Sequence, residues 1–300
     1  MSQKSQGILC ILSSAFFFAL MSLFVRLSGD VPLLQKCFFR NLVAAAIAFL
    51  MILESHEKIE IGKGNLKFLL ARSCCGFVGI LCNFYATSVL NLSDAQMLQK
   101  LSPFFAIFFS YIILKEVAGK VDWIALVVAF LSSLLVVKPT FSFEVFPALI
   151  AMLGGMASGC AYTFVRLLTG RGVKNPVIIF FFSAFSTLIL LPKLLFAYEP
   201  MTTMQLIYLL LAGCAAAGGQ ISITAAYKRA PAKELSVFDF SQVAFAALLG
   251  FAFLGQVPDY LSVIGYVLII GTAVAKWKYT LDKDRKNNIK FDKVAHANKN

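Results

Sequence analysis

FVRL stands at residues 24–27 and stands again at residues 164–167, 140 positions later. Holding that offset aligns Cys74 and Gly79 with Cys214 and Gly219, Phe105-Ala106 with Phe245-Ala246, Leu114 with Leu254 and Val117 with Val257. One match carries no weight in so apolar a chain. A four-residue identity joined by several others at one offset marks an internal duplication, and a duplication dictates architecture. The expected units are a first repeat over 1–140, a second over 141–280 and a polar tail over 281–300.

The composition says what the repeats are made of. The 300 residues are 59% hydrophobic and only 14% charged, with a mean hydropathy of +0.81. A soluble domain carries about a quarter of its residues as charges. Apolar runs of about 20 residues, enough to cross the hydrocarbon, recur from end to end. The chain therefore reads as an all-α polytopic membrane protein. Charge, Pro and Gly divide it into ten segments: 7–27, 33–53, 66–88, 94–114, 121–138, 146–168, 176–195, 204–227, 235–254 and 260–279. No small-residue cleavage site follows the first run, so it reads as a retained span.

The net charge of +12 raises the question of nucleic acid, but its placement points elsewhere. Lys58, Lys63 and Lys67, Lys115 and Lys120, Arg171 and Lys174, and Lys228, Arg229 and Lys233 fall in alternate loops, and further basic residues fill the tail. The opposite loops are nearly bare. This is the positive-inside distribution, and it puts both termini on the cytoplasmic side of the cell membrane. No binding of nucleic acid is expected. All seven Cys lie in predicted spans without CxxC spacing, and His56 and His296 lie in polar segments. Neither a metal site nor any cofactor is expected.

Five spans per half is an odd number, so the second copy must cross the bilayer in the opposite sense. Two inverted five-helix repeats are the architecture of secondary transporters, with a site near the midplane. The residues also resemble a known family. FFRN at 38–41 and NFYATSVLNLSDAQMLQKLSPFFAIFFSYIILKE at 83–116 are similar to the drug/metabolite transporter superfamily, in particular its EamA-type ten-helix members. The second copy, AAYKRAPAKELSVFDFSQVAFAALLGFAFLGQ at 225–256, departs from that pattern. Gln256 replaces the exit Glu116 and Val243 replaces Pro103, so kinks in spans four and nine need not match. The resemblance implies movement of a small metabolite, without ATP hydrolysis, through a cavity lined by both halves.

A charge inside a span is costly and is a site candidate by default. Arg26 and Arg166 hold equivalent positions in the two FVRL copies. Snorkelling, or ties to neighbouring carbonyls, accounts for them as well as function does. Arg40 and Arg72 suit a gate or a structural charge. Lys100 and Asp239 are sharper, because Gln99 aligns with Asp239 and the two charges fall one residue apart on sister helices. Pairing them offsets part of their desolvation. They are either a structural ion pair or groups that touch substrate, with Asp239 a candidate for a coupling proton. Gln96, Gln99, Gln242, Gln220, Asn83 and Tyr162 add donors and acceptors that suit a cavity lining, although each alone is more often an interhelical hydrogen bond. Gly155 and Gly159 read as a close-packing stripe.

The expectation is a secondary transporter of a carboxylate, amino-acid-like or zwitterionic solute, working by alternating access. An S-adenosylmethionine or nucleoside-type carrier, or a non-transporting scaffold or lipid-handling protein, is the alternative. No enzyme is expected, since the spans hold no His and no paired acids. The partners expected are a small-molecule substrate and the lipid bilayer, with a coupling proton and a homodimer left open. The tail over 280–300 is expected to be disordered or to lie on anionic headgroups.

Overall fold

A computed structural model describes residues 3–54, 61–62, 64–115, 119–137, 145–229 and 238–297. The loop residues Lys58, Lys63 and Lys233, the exit Glu116 and its neighbour Val117, and His56 lie outside these. Among the described residues the chain is helical throughout, with no strand. Its helices are α1 (Gln3–Leu27), α2 (Leu33–Glu54), α3 (Leu66–Val89), α4 (Leu92–Gln99), α5 (Ser102–Ile113), α6 (Lys120–Val137), α7 (Phe146–Gly170), α8 (Asn175–Phe196) and α9 (Thr203–Arg229). A 3-10 turn (Phe238–Phe240) then leads into α10 (Ser241–Leu254), and α11 (Tyr260–Ala297) ends the chain.

Seven of these helices, α1, α2, α3, α7, α8, α9 and α11, hold stretches long and apolar enough to cross a membrane; the others are shorter. The protein is a multi-pass membrane protein. Pro147 and Pro176 open α7 and α8, where a missing amide hydrogen costs nothing. Gly255 closes α10 in the left-handed conformation at φ 64. There the Gln256 amide returns to the Gly250 carbonyl at 3.1 Å, a bond that an L side chain at 255 would strain.

Two expectations are corrected. The stretch 94–114, read as one helix, is broken into α4 and α5. Around the break the Leu101 amide reaches back only to Leu98 (3.2 Å), a tightened, three-residue turn. Pro103 is the cause, because it has no hydrogen to give Gln99 and its ring crowds that carbonyl. The sister stretch enters α10 through the 3-10 turn at 238–240, with Val243 where Pro103 stands. A tightened turn therefore occurs at the equivalent place without a proline. The second correction concerns the disorder expected of the tail, since α11 runs on as helix to Ala297. No Gly or Pro follows Gly271 to stop it.

Helices from the two halves of the chain interleave. α1 packs on α9, α3 on α7, α2 on α8 and α6 on α11, while α5 lies on α7, α10 on α1, and α4 on α10. The stripe on α7 works as small-residue spacing suggests. A methyl on Gly155 would sit 2.8 Å from the Leu98 carbonyl oxygen, and one on Gly159 would sit 2.7 Å from that of Ser102. Those glycines let α7 press directly on the broken helix.

Candidate functional site

The break positions the first group of polar side chains. α4 has eight residues, and Leu92 through Leu98 are all buried. Lys100 follows at its carboxyl end, where partial negative charge favours a cation. Asp239 stands just before α10, at an amino end that favours an anion. The Lys100 ammonium meets the Asp239 carboxylate at 2.5 Å, with the side chains only 10% and 21% exposed. The pairing open in the sequence is therefore formed.

A ladder of amides supports the pair. Gln242 donates to the Gln96 carbonyl oxygen, and Gln96 donates to Ser22 Oγ at 2.9 Å. This ties α10, α4 and α1 together beside the ion pair. Gln99 donates to Ser158 Oγ at 2.7 Å, tying α4 to α7. Gln256, in the exit-Glu position, accepts the Leu92 amide at 2.9 Å and so satisfies the start of α4.

A second group of charges lies on α2 and α3. Arg40 is 7% exposed. Its Nη1 donates to Asn41 Oδ1 at 2.7 Å, and Asn41 is itself held by the Cys37 carbonyl at 2.9 Å. Arg40 Nε has no acceptor among the described residues. Arg72 lies over the Phe182 ring of α8, 4.0 Å from its centroid, and its Nε and Nη1 also have no acceptor. Gly76 makes that stack fit, because a methyl there would sit 2.7 Å from Arg72 Nη1 and 2.9 Å from the ring. Tyr162 of α7 stands between the two groups. It is 55% exposed and lies within electrostatic reach of Asp239, Arg72 and Arg40.

The chain is similar to known transporters. The EamA-like transporter family matches residues 5–138 and, a second time, residues 145–275. The chain belongs to this family. It is 30% identical over 276 residues to a pseudopaline exporter of Pseudomonas aeruginosa, covering 91% of this chain and 95% of that protein. It is 24% identical to human solute carrier family 35 member G1, over 90% of this chain and 80% of the relative. A crystal structure that shares 18% identity superposes with a TM-score of 0.63, over 91% of this chain and 97% of the other. At that identity the likeness shows the fold alone. Family and relatives are transporters and not enzymes.

Within the family fold, the structure gathers some of the sequence candidates and disperses others. Lys100, Asp239, Gln96, Gln99, Gln242 and Tyr162 come together, with Arg40 and Arg72 near Tyr162. Gln220 instead lines a separate apolar groove between α2, α8 and α9, beside Ala44, Asn175 and Ile221. Asn83 is buried where α3 meets Gly154 of α7. Arg26 Nη1 donates to the Thr87 and Leu90 carbonyls at 3.1 and 3.5 Å, a structural tie at the end of α3. Arg166 is exposed. Asp94 was missed, because the predicted span began on it and left it at the membrane edge. It is 8% exposed and accepts the Tyr266 hydroxyl at 2.5 Å. An acidic residue in a helix's first turn was the available signal. Cys75 and Cys160 also meet unannounced, sulfur to sulfur at 3.6 Å between α3 and α7.

Proposed function

We propose that this protein is a secondary transporter that moves a small organic metabolite across the cell membrane by alternating access. The proposed machinery is two inverted five-helix repeats, 1–140 and 141–280, making ten spans with both termini in the cytoplasm. The observation that carries the reading is the exchange pattern of the packing. Shifting each helix by one repeat turns the α1–α9 contact into α7–α3, turns α10–α1 into α5–α7, and returns α2–α8 and α6–α11 to themselves. Individual residues follow the same rule. A methyl on Gly219 would sit 2.8 Å from Phe18, and one on Gly79 would sit 2.7 Å from Ser158, each pair being the other displaced by 140. An axis relating two bundles of five spans each would lie in the membrane plane, which supports inversion.

The Lys100–Asp239 pair sits where the two sister turns meet, between the halves. That position suits a group that breaks and remakes contacts as access alternates, with Asp239 a candidate proton carrier. The solute is proposed to bear a carboxylate or to be zwitterionic, since Arg40 and Arg72 keep buried donors without acceptors among the described residues while the interior acids Asp94 and Asp239 both have partners. The exporter among its relatives makes export the first direction to test. Purified protein in proteoliposomes, loaded with a labelled metabolite mixture, should release a subset saturably. Asp239→Asn should reduce that flux at least about tenfold if loss of one charged contact costs roughly 1.4 kcal/mol or more. Flux equal to that of empty liposomes for every solute would overturn the reading.

A further inference from the structure

We propose that Arg40, Arg72 and Tyr162 form a subsite for a small organic anion with two negative charges, a dicarboxylate, distinct from the Lys100–Asp239 pair. The assignment rests on the transport reading, because the solute must reach the interior. Two buried guanidinium groups are expensive in a membrane protein unless something compensates them. The other buried cations have their charge met: Lys100 pairs with Asp239 at 2.5 Å, and Lys36 donates to the Gly29 carbonyl at 2.7 Å. Neither arginine has a carboxylate partner among the described residues, and Asp239, the acid within electrostatic reach of Tyr162, is already held by Lys100. Arg40 Nε and Arg72 Nε and Nη1 are buried hydrogen-bond donors without acceptors.

Both arginines are also held in place by contacts that leave those donors unused. Arg72 is fixed by the Phe182 face and the space at Gly76. Arg40 is fixed through Asn41, which is anchored in turn on the Cys37 carbonyl. Donors held in one geometry before the ligand arrives lose little entropy when it binds. Planar guanidinium matches carboxylate in shape and charge better than any other side chain does. Two of them call for two carboxylates. Tyr162, accessible and adjacent, supplies a hydroxyl and marks the side from which the ligand comes.

Succinate is the probe, with its neutral isostere succinamide, a monocarboxylate (butyrate) and inorganic phosphate at constant ionic strength. Full-length protein in detergent should gain thermal stability with succinate, less with butyrate and none with succinamide. Arg40→Gln and Arg72→Gln should each weaken the apparent succinate affinity roughly 10- to 100-fold, as expected for a lost hydrogen bond to a charged group. Should either variant fail to fold, footprinting of the natural protein with a dicarbonyl reagent answers the same question. Succinate should protect Arg40 and Arg72 from modification and leave the exposed Arg171 unprotected. Equal stabilisation by all four solutes, phosphate outperforming succinate, or no protection of either arginine would overturn the subsite. Transport of neutral solutes unaffected by both substitutions, with no succinate binding, sinks the subsite and leaves the transporter standing. Succinate binding lost in the variants, with no flux of any solute, does the reverse.

Discussion

Two charged groups share the interior of this protein and are handled in opposite ways. Lys100 and Asp239 neutralise each other at 2.5 Å and stand at helix ends whose dipoles favour them. Arg40 and Arg72 carry like charge, are held by an amide and a phenyl ring, and keep buried donors without acceptors. The lesson is that burial alone does not say what a charge is for. A pair that satisfies itself serves the fold first, and any role in transport must come from breaking it. A pair that the chain leaves unsatisfied depends on something brought in from outside.

The sharpest way to break the contrast is Asp239→Asn. Removing one partner strands Lys100 in a buried site where Asp239 is the acceptor that its ammonium bonds. That should cost about 3–5 kcal/mol, read as a large fall in thermal midpoint in detergent. Replacing both, as Lys100→Met with Asp239→Leu, should recover most of the loss, since matched apolar groups need no pairing. If the single variant is as stable as the parent, the two charges are solvated and the contrast fails.

Next in size is Gln96→Leu. Gln96 accepts from Gln242 and donates to Ser22, so leucine leaves the buried Gln242 amide without its acceptor. The expected loss is about 1–3 kcal/mol, and transport should suffer beyond it if the ladder positions the ion pair. Gln99→Leu is the comparison, because Gln99 Oε1 has no donor to lose and only the Ser158 bond goes.

How much of this was legible in the residues differs between fold and site. Spans such as 33–53 and 146–168 lie close to α2 (Leu33–Glu54) and α7 (Phe146–Gly170), because hydrocarbon thickness imposes a length that any apolar run reveals. The 140-residue offset aligned Gly79 with Gly219, and their neighbours Ser158 and Phe18 stand at the same offset. The breaks were less legible. Pro103 announced one, but the 3-10 turn at Phe238–Phe240 has no local marker and follows from packing between α1 and α4. Asp94 was hidden because a hydropathy boundary says nothing of depth, and its burial and its bond from Tyr266 show that it is interior. The arginines were visible as charges, but their lack of acceptors is a three-dimensional property that no spacing encodes.

Arg40→Met tests the other member of the comparison with the opposite sign. The ligand-free protein loses a buried charge that has no carboxylate partner among the described residues, at the expense of one bond to Asn41. Its stability should rise by about 1 kcal/mol, or roughly 2–3 °C, while succinate-dependent stabilisation disappears. Such a trade of function for stability is usual where a binding group sits unsatisfied. A fall of several degrees instead would mark Arg40 as a structural charge.

The smallest effect belongs to a third pair, which calibrates the other two. Lys276 of α11 meets Asp122 of α6 at 3.1 Å, with side chains 25% and 33% exposed. Water screens this pair, and Asp122 has a second task, accepting the Gly119 amide at 2.9 Å. Lys276→Ala therefore strands no buried charge, and its cost should stay below about 1 kcal/mol and shrink further in high salt. In double-mutant cycles the Lys276–Asp122 coupling should fall well short of that for Lys100–Asp239. Equal couplings would mean that depth does not set the worth of these pairs. The charge pair between α4 and α10 would then have no better claim to the centre of the mechanism than one at the edge.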